Sequence, residues 1–331
     1  MEMERDRYRG CLMGLAVGDV LGAPVEFLSL SEIKRRYGEN GISDFSELGG
    51  FGPGSYTDDT QLSLATAVGC IRAQQRFQDS GIFQPAEIVY HRYLDWLKTQ
   101  NDPAQRRAPG NTCLTALRSG RMGSINERIN DSKGCGGVMR AAPVGLAFRP
   151  GDAFKHGAEF AAITHGHPSG YLPAGFLAEI IAGILEGKSH TEAIEKSIME
   201  LRKYGGYQET LEKVKLAVEL AGKEESVPNA IKKIGEGWVG EEALGISLYC
   251  VLKYSDDWVK GTLAAVNHSG DSDSTGSITG AILGTLLGAE AIPERWVQNV
   301  ENSDRIQKIA TDMYRAFTKG EKLSFDEYPP N

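Results

Sequence analysis

Basic runs, long hydrophobic stretches and paired cysteines are all scarce in this sequence. Asp and Glu number 44 against 36 Lys and Arg, a net charge of −8. A net acidic chain without basic runs is a poor binder of nucleic acid or of an anionic membrane surface. No stretch approaches the roughly 20 apolar residues of a membrane span, and the opening MEMERDRYRG lacks the apolar segment of a signal peptide. We therefore expect a cytoplasmic protein.

The five cysteines are odd in number and widely spaced, and no two of them form a C-x-x-C pair. Their spacing excludes a zinc ribbon and argues against a disulfide framework. A chain of 331 residues can bury a sizeable core without either device. We therefore expect most cysteines to be small buried hydrophobic residues.

Alternating apolar and polar residues, which mark β-strands, are also hard to find, whereas helical periodicity is common. The stretch 172–185 is apolar nearly all round, which predicts a helix in the centre of a bundle, and Thr191 fits the N-cap of the next helix. Helices are predicted at 58–71, 86–97, 172–185, 191–203, 210–221, 227–234, 241–254, 257–267, 274–289 and 304–317. No linker or internal repeat divides the chain, so we predict one all-α domain over residues 1–331.

Glycine is the residue in excess, with 40 in the chain, or about 12 % against a usual 7 %. No Gly-rich tract accounts for the excess. Several glycines instead recur at helical spacing in two stretches: Gly10, Gly14 and Gly18, and Gly276, Gly280, Gly284 and Gly288. In a membrane this spacing marks helix dimerisation. Here it predicts helices whose backbones cross closely in a crowded core.

Two polar segments place acids at the start of an apolar helix. They are GSYTDDT at 54–60 and HSGDSDSTG at 268–276. Each one alone is typical of an ordinary helix start, with a hydroxyl N-cap and acids in the first turn. Carboxylate and hydroxyl oxygens are also the ligands that Mg²⁺, Mn²⁺ and Ca²⁺ prefer. The second segment is not an EF-hand loop, because Ile282 stands where the final acid belongs.

The two acidic segments gain meaning if they meet. They lie near opposite ends of the chain, and convergence of the two helix starts would gather Asp58, Asp59, Asp271 and Asp273. Four packed carboxylates without cations repel one another strongly. Two divalent metal ions about 3.5–4 Å apart would neutralise them and polarise a bound oxygen. Convergence is a hypothesis at this point.

The segment 10–27, GCLMGLAVGDVLGAPVEF, runs as a helix toward Pro24, which breaks it. Glu26 stands between two apolar residues, where a buried acid needs a partner. A surface turn and a catalytic carboxylate are equally consistent with that position. Asp19 has the better claim to a structural role, such as capping a helix or supporting a site residue.

Two Gly-containing loops precede helices, PGNT at 109–112 and SKGCGGVMR at 132–140. Free N–H groups at helix starts suit phosphate. Neither loop is a Walker A or dinucleotide motif, because no strand precedes it, and a loop without a ligand is the simpler interpretation of either alone. The same holds for the histidines of THGHP at 164–168, which have no Cys or acid at zinc-ligand spacing.

Taken together and in this order, these segments resemble the ADP-ribosylglycohydrolase family. The resemblance spans about residues 7–288, and its specific part is the T-D-D and G-D-x-D-[ST] pair at opposite ends. The G-G-x-M-R loop and the T-H segment are weaker alone. The resemblance implies an orthogonal all-α bundle with a cleft that holds two Mg²⁺ ions, or Mn²⁺ in some members.

The resemblance also implies site residues, carried over by motif. Metal ligands are implied at Thr57, Asp58, Asp59, Asp271, Asp273 and Ser274. Glu26 corresponds to the family's glutamate and, with Asp58 and Asp273, makes up the implied catalytic set. ADP-ribose contacts are implied at Gly110, Asn111, Thr112, Ser132, Gly134, Gly136, Gly137, Val138, Met139 and His165, with His167 as the alternative to His165. Some relatives have Asn in place of Cys135 and an adenine-stacking aromatic in place of Lys133, so we look for the adenine contact near Tyr171.

The implied function is a metal-dependent hydrolase that cleaves the C1″ glycosidic bond between ADP-ribose and its acceptor. The partners are an ADP-ribosylated protein or small molecule, with no nucleic acid and no membrane, and the enzyme is expected to be a monomer. The G-A-P-V-E-F turn is closer to the dinitrogenase-reductase-activating branch, which acts on arginine. ADP-ribosyl-serine and O-acetyl-ADP-ribose stay open as substrates. A non-catalytic ADP-ribose-binding relative and a phosphoester hydrolase with the same two metals are the alternatives of other classes.

Overall fold

Helices make up the regular structure of this protein. The computed structural model describes residues 2–324 and 326–329, and within them it has no strand, only two isolated β-bridges. The α-helices are α1 Glu2–Gly22, α2 Leu30–Tyr37, α3 Asp58–Ser80, α4 Pro85–Thr99, α5 Asn111–Arg118, α6 Ala142–Ala147, α7 Asp152–Ala162, α8 Pro168–Leu185, α9 His190–Leu201, α10 Gln208–Ala221, α11 Val227–Ile234, α12 Gly240–Lys253, α13 Trp258–Val266, α14 Ser272–Leu287, α15 Glu294–Asn299 and α16 Ser303–Phe317. The predicted all-α fold is confirmed. Residues 1, 325, 330 and 331 of the predicted domain lie outside the described residues.

Helices α1 and α14 cross in direct backbone contact along their glycine stripes. A Cβ atom placed on Gly14 would collide with the carbonyl oxygen of Gly280, and one on Gly18 would collide with that of Gly276. The expected close crossing is confirmed. The pairing runs antiparallel, so the C-terminal end of α1 at Gly22 lies against Ser272 at the start of α14. The crossing therefore brings the turn after α1 to the second acidic segment.

Helix α8 is the buried central helix that the apolar stretch predicts. It begins at Pro168, four residues before the predicted start, and it continues through Pro173. By length and composition it comes closer to a membrane span than the sequence analysis expected, but 94 % of it is buried inside the protein, as in the core helix of a globular protein. Helices α6, α7, α9 and α12 pack around it.

The N-cap predicted at Thr191 is wrong by two residues. Helix α9 begins at His190, and its N-cap is Ser189, whose hydroxyl accepts a hydrogen bond from the Glu192 N–H. The Glu192 carboxylate accepts the Ser189 N–H in return, at 2.9 Å. Ser189 prevails because only it stands at the S-x-x-E spacing that closes this reciprocal capping box.

Candidate functional site

The buried carboxylate of Asp19, near the end of α1, holds the start of α3. It accepts hydrogen bonds from the N–H groups of Thr57 and Thr60 and from both of their hydroxyls, the Thr60 hydroxyl at 2.6 Å. The Thr57 hydroxyl in turn accepts the Asp59 N–H at 3.2 Å, which makes Thr57 the N-cap of α3. The predicted structural role of Asp19 is confirmed, and it fixes the position of the first acidic segment.

At the start of α14, Asp271 is the N-cap and accepts the Ser274 N–H. The preceding Gly270 has a φ of +126°, a conformation that favours glycine, and a Cβ there would collide with the backbone of Glu236. From the other side, the Cys135 thiol donates to Asp271 Oδ2 at 2.7 Å. The second acidic segment is therefore held by two loops that are distant from it in the sequence.

The two acidic segments and Glu26 converge on one cleft of about 290 Å³. Carboxylate oxygens of Glu26, Asp271 and Asp273 all lie within 4.8 Å of one another, and Asp58 and Asp59 line the same cleft. The convergence hypothesis is thus confirmed as geometry. Glu26 is half-buried in the wall of the cleft, which contradicts the alternative of a solvated surface turn.

The electrostatics of the cleft favour a cation. Burial, reinforced by repulsion from Asp273, raises the pKa values of Glu26 and Asp59 well above the usual range of carboxyl groups. Burial also raises the pKa of Asp58, although the Gly110 N–H opposes this by donating to its carboxylate. No Lys or Arg is among the described residues that line the cleft, and Asp59 Oδ2 is buried without a hydrogen-bond partner. This donor set fits divalent metal ions, which prefer carboxylate oxygens.

The cleft contains most of the implied metal ligands. Those that line it are Asp58, Asp59, Asp271, Asp273 and Ser274. Thr57 is fully buried and does not line it. The Thr57 hydroxyl already donates to Asp19 and accepts from the Asp59 N–H, so its role as an N-cap is the one that the structure shows.

Two helix starts carrying unpaired backbone N–H groups border the acids. Asn111 and Thr112 open α5, and Gly136 lies in a short 3₁₀ helix over Cys135–Gly137. All three line the cleft. Their N–H groups have no acceptor in the part of the chain that the structure describes. Such groups, at the positive end of a helix, attract anionic oxygens.

Of the other residues implied to contact ADP-ribose, some line the cleft and some lie outside it. Gly110, Gly134, Met139 and His165 line the cleft, whereas Ser132, Gly137, Val138 and His167 do not. A Cβ on Gly137 would lie 2.6 Å from the Gly170 carbonyl oxygen, inside the helix packing. His167 Nδ1 accepts the Ser169 N–H as the N-cap of α8. Tyr171 is buried within α8 and is also absent from the cleft wall.

His165 presents a neutral imidazole to the cleft. Burial, together with the nearby charge of Arg140, lowers its pKa to about 3. Arg140 donates to the Thr164 hydroxyl at 2.6 Å, and that hydroxyl lies 2.8 Å from His165 Nδ1. The neutral ring carries its one proton on either Nδ1 or Nε2. The Nε2 atom lies beside Gly134 and Gly136, where it donates or accepts a hydrogen bond according to the tautomer.

Phe27 and Trp238 form an aromatic rim that the sequence analysis missed. Their rings stack with centroids 5.1 Å apart, both line the acid cleft, and Phe27 is 71 % exposed. Phe27 also has a φ of +66°, a costly backbone conformation for a bulky residue. The only feature of the sequence that could have indicated Phe27 as a site residue is its position next to Glu26. No local feature could have indicated Trp238, because a hydrogen bond from the distant Cys135 N–H to its carbonyl oxygen places it at the cleft.

Known proteins resemble this chain over nearly its full length. It is 27 % identical to the ADP-ribosylhydrolase ARH3 of Bos taurus, over 95 % of this chain and 93 % of that protein. It is 26 % identical to the ADP-ribosyl-[dinitrogen reductase] glycohydrolase of Rhodospirillum rubrum (89 % and 90 %). It is 25 % identical to the ADP-ribosylarginine hydrolase Tri1 of Serratia proteamaculans (93 % and 79 %).

A solved structure described as an ADP-ribosylglycohydrolase-related protein complex has the same fold. Its TM-score is 0.67 at 24 % identity, and the match covers 95 % of this chain and 99 % of that one. The ADP-ribosylglycohydrolase family model matches residues 1–322. The expected bundle type is therefore confirmed, and this chain belongs to the ADP-ribosylglycohydrolase family of hydrolases.

Proposed function

We propose that the protein removes ADP-ribose from ADP-ribosyl-arginine on a protein substrate, in a reaction that depends on two bound Mg²⁺ or Mn²⁺ ions. The observation that carries this proposal is the cleft itself. Five carboxylates meet there beside two helix starts with unpaired N–H groups, in a chain of this family. We place the reaction in the cytoplasm, where the five cysteines, all free in the structure, stay reduced.

Asp58, Asp59, Asp271 and Asp273 are the residues that would hold the metal ions, with the Ser274 hydroxyl beside them. When bound, the ions supply charge that orients ribose hydroxyls and a water molecule. The carboxylates also stabilise the positive character that develops at C1″ as the glycosidic bond breaks.

The diphosphate of ADP-ribose suits the opposite wall of the cleft. The N–H groups of Asn111, Thr112 and Gly136 are free to donate to phosphate oxygens. In the tautomer that carries its proton on Nε2, His165 adds a neutral side-chain donor beside them. Donors that are already aligned and unpaired bind an anion without first breaking other hydrogen bonds. This wall therefore positions the substrate while the acidic wall performs the chemistry.

Glu26 is our candidate for moving the proton. It lies within 4.8 Å of Asp271 and Asp273, next to the exposed aromatic rim. From there it can activate the attacking water or donate a proton to the departing acceptor. Burial and the neighbouring aspartates raise its pKa, which keeps a proton on the group until a substrate or cation changes its surroundings.

The preference for arginine rests on charge and shape at the mouth of the cleft. A guanidinium is a planar cation, so it suits both an acidic wall and the faces of Phe27 and Trp238. A serine acceptor offers neither property. The G-A-P-V-E-F turn and the similarity to a protein named ADP-ribosylarginine hydrolase support the same choice.

The test is to incubate the protein with matched ADP-ribosyl-arginine and ADP-ribosyl-serine peptides and to identify the products by mass spectrometry, with Mg²⁺, with Mn²⁺ and with EDTA. We expect free ADP-ribose from the arginine peptide, and none with EDTA. Release from the serine peptide alone would replace the proposed acceptor. AMP or phosphate as the product would indicate a phosphoester hydrolase, and binding of ADP-ribose without turnover would indicate a non-catalytic relative.

We expect the metal-free protein to lose stability as the pH rises from about 5 to 8. The buried carboxyl groups have raised pKa values in the folded state, so over this range the folded chain binds more protons than the unfolded chain. Divalent cations favour the ionised form, so at one fixed concentration they should stabilise the protein more at pH 8 than at pH 5. At a concentration a hundredfold above Kd, one bound ion adds about 3 kcal/mol.

Urea unfolding with and without Mg²⁺ at both pH values measures this effect. Asp273→Asn should reduce the stabilisation by metal, and Glu47→Gln, on the exposed surface, should leave it intact. Elemental analysis that finds zinc in the active protein, or a stability that does not respond to Mg²⁺ or Mn²⁺, would contradict the two-metal proposal.

Gly110→Leu should block ADP-ribose binding without harming the fold. Gly110 lines the cleft, a Cβ there meets no atom within 4 Å, and its φ of −59° is open to any residue. A leucine would fill the space in front of α5. By calorimetry we expect ADP-ribose affinity to fall at least about tenfold, or 1.4 kcal/mol, with metal binding retained. Unchanged affinity would place the diphosphate elsewhere. Gly137→Val is a poorer probe, because it overfills the helix packing.

A further inference from the structure

A second cleft, of about 550 Å³, lies between α3, α4 and α16 and shares no lining residue with the acid cleft. Its floor is apolar, formed by Leu64, Ala65, Val68 and Ile309, and Trp96 adds an aromatic side chain to its wall. The volume lies within the range of small-molecule sites. The family assignment and the proposed reaction leave this cleft without a role.

Its lining carries four cations and two carboxylates, Asp95 and Glu327, and two of the cations are unpaired. Arg92 pairs with Asp95 at 2.8 Å, and Lys308 lies 2.7 Å from Asp312 and 2.9 Å from Glu327. Arg72 and Arg305 make no hydrogen bond or ion pair with any residue that the structure describes. The cleft therefore has unpaired positive charge in a protein of net charge −8.

The arginines of α3 and α4 also carry buried N–H groups that no acceptor satisfies. The Nε atoms of Arg72 and Arg92 are both buried without a hydrogen-bond acceptor. Burial, reinforced by the nearby charge of Arg92 and opposed by that of Asp95, lowers the pKa of Arg72. Two like charges held close together with buried, unused donors represent a cost that an anion would remove. Guanidinium groups bind phosphate oxygens with paired, directional hydrogen bonds.

We propose that this cleft binds an organic phosphate of nucleotide size, with the phosphate at Arg72, Arg92 and Arg305 and a planar apolar group over the floor. The combination of an apolar floor, an aromatic wall and a cationic rim favours such a ligand over inorganic phosphate, which would use only the rim. The net acidic chain argues against nucleic acid.

Calorimetric titration with AMP, and separately with inorganic phosphate, tests the proposal. The variant Arg72→Gln/Arg305→Gln removes both unpaired cations, and its control Arg36→Gln/Lys215→Gln makes the same charge change at exposed positions elsewhere. We expect the Kd for AMP to rise at least about tenfold in the first variant and to stay unchanged in the second. Inorganic phosphate should bind more weakly than AMP to the unmodified protein.

A second variant separates the floor from the charge. Ala65→Leu fills part of the apolar floor and leaves every cation in place, so it should also weaken AMP binding. Release of ADP-ribose from the arginine peptide should persist in all of these variants, because none of them alters the acid cleft. The proposal is overturned if AMP binds the Arg72→Gln/Arg305→Gln protein as tightly as the unmodified one, if both double variants weaken it equally, or if AMP does not bind at all.

Discussion

Gly280→Ala should destabilise the protein by about 3 kcal/mol, the upper end of the usual cost of overpacking a core. The added methyl group would collide with the backbone carbonyl oxygen of Gly14 on the antiparallel α1. A flexible side chain could move aside, but a helix backbone in the core cannot move without separating two long helices. Alanine favours the helix by about 1 kcal/mol over glycine, so the net loss measured in urea is the clash minus that gain.

The control for this experiment is Gly222→Ala. Gly222 follows α10 at a φ of −82°, and a Cβ there meets its first neighbour at an ordinary 3.7 Å. Its stability should change by less than about 0.5 kcal/mol. If Gly280→Ala were equally neutral, α1 and α14 would not be in direct backbone contact. The explanation of why the turn at Glu26 lies beside Asp273 would then also fail.

The glycine spacing shows how far the sequence could predict the fold. Gly10, Gly14 and Gly18 recur every four residues, and so do the glycines of α14, which was sufficient to predict close helix crossing. The sequence does not show that these two stripes pair with each other in antiparallel order, because this pairing is set by the tertiary structure. The acidic segments were predictable to the same extent. Each could be identified as a helix start from the sequence, but their convergence depends on the pairing of α1 with α14.

Local sequence patterns also could not predict which of two neighbouring residues faces the cleft. Gly136 and Gly137 are neighbours in one Gly-rich loop, yet Gly136 lines the cleft and Gly137 faces the Gly170 backbone. Neither propensity nor motif distinguishes two adjacent glycines. The second cleft was equally hidden, because Arg72 and Arg305 come from helices at opposite ends of the chain. Predicting either feature requires the packing of the whole bundle.

Glu26→Gln should lower kcat on ADP-ribosyl-arginine peptide by about 10²–10⁴, the usual contribution of a general acid–base group. Glutamine keeps the size and an oxygen of Glu26 but can neither take up nor release the proton. Because that loss concerns the transition state, ADP-ribose affinity and metal content should both be retained. Steady-state kinetics, calorimetry with ADP-ribose and elemental analysis together measure the three quantities.

Two comparisons make the result specific to proton transfer. Asp273→Asn should lose metal and ADP-ribose binding together, since its carboxylate lies within the acid cluster. Glu47→Gln, an exposed change of the same type, should alter none of the three quantities. If Glu26→Gln lost metal along with turnover, Glu26 would be a metal ligand, which its distance of less than 4.8 Å from Asp271 and Asp273 allows. If instead the variant kept near-normal turnover, proton transfer would belong to one of the aspartates, with Asp58, which accepts the Gly110 N–H at the edge of α5, as the first to test.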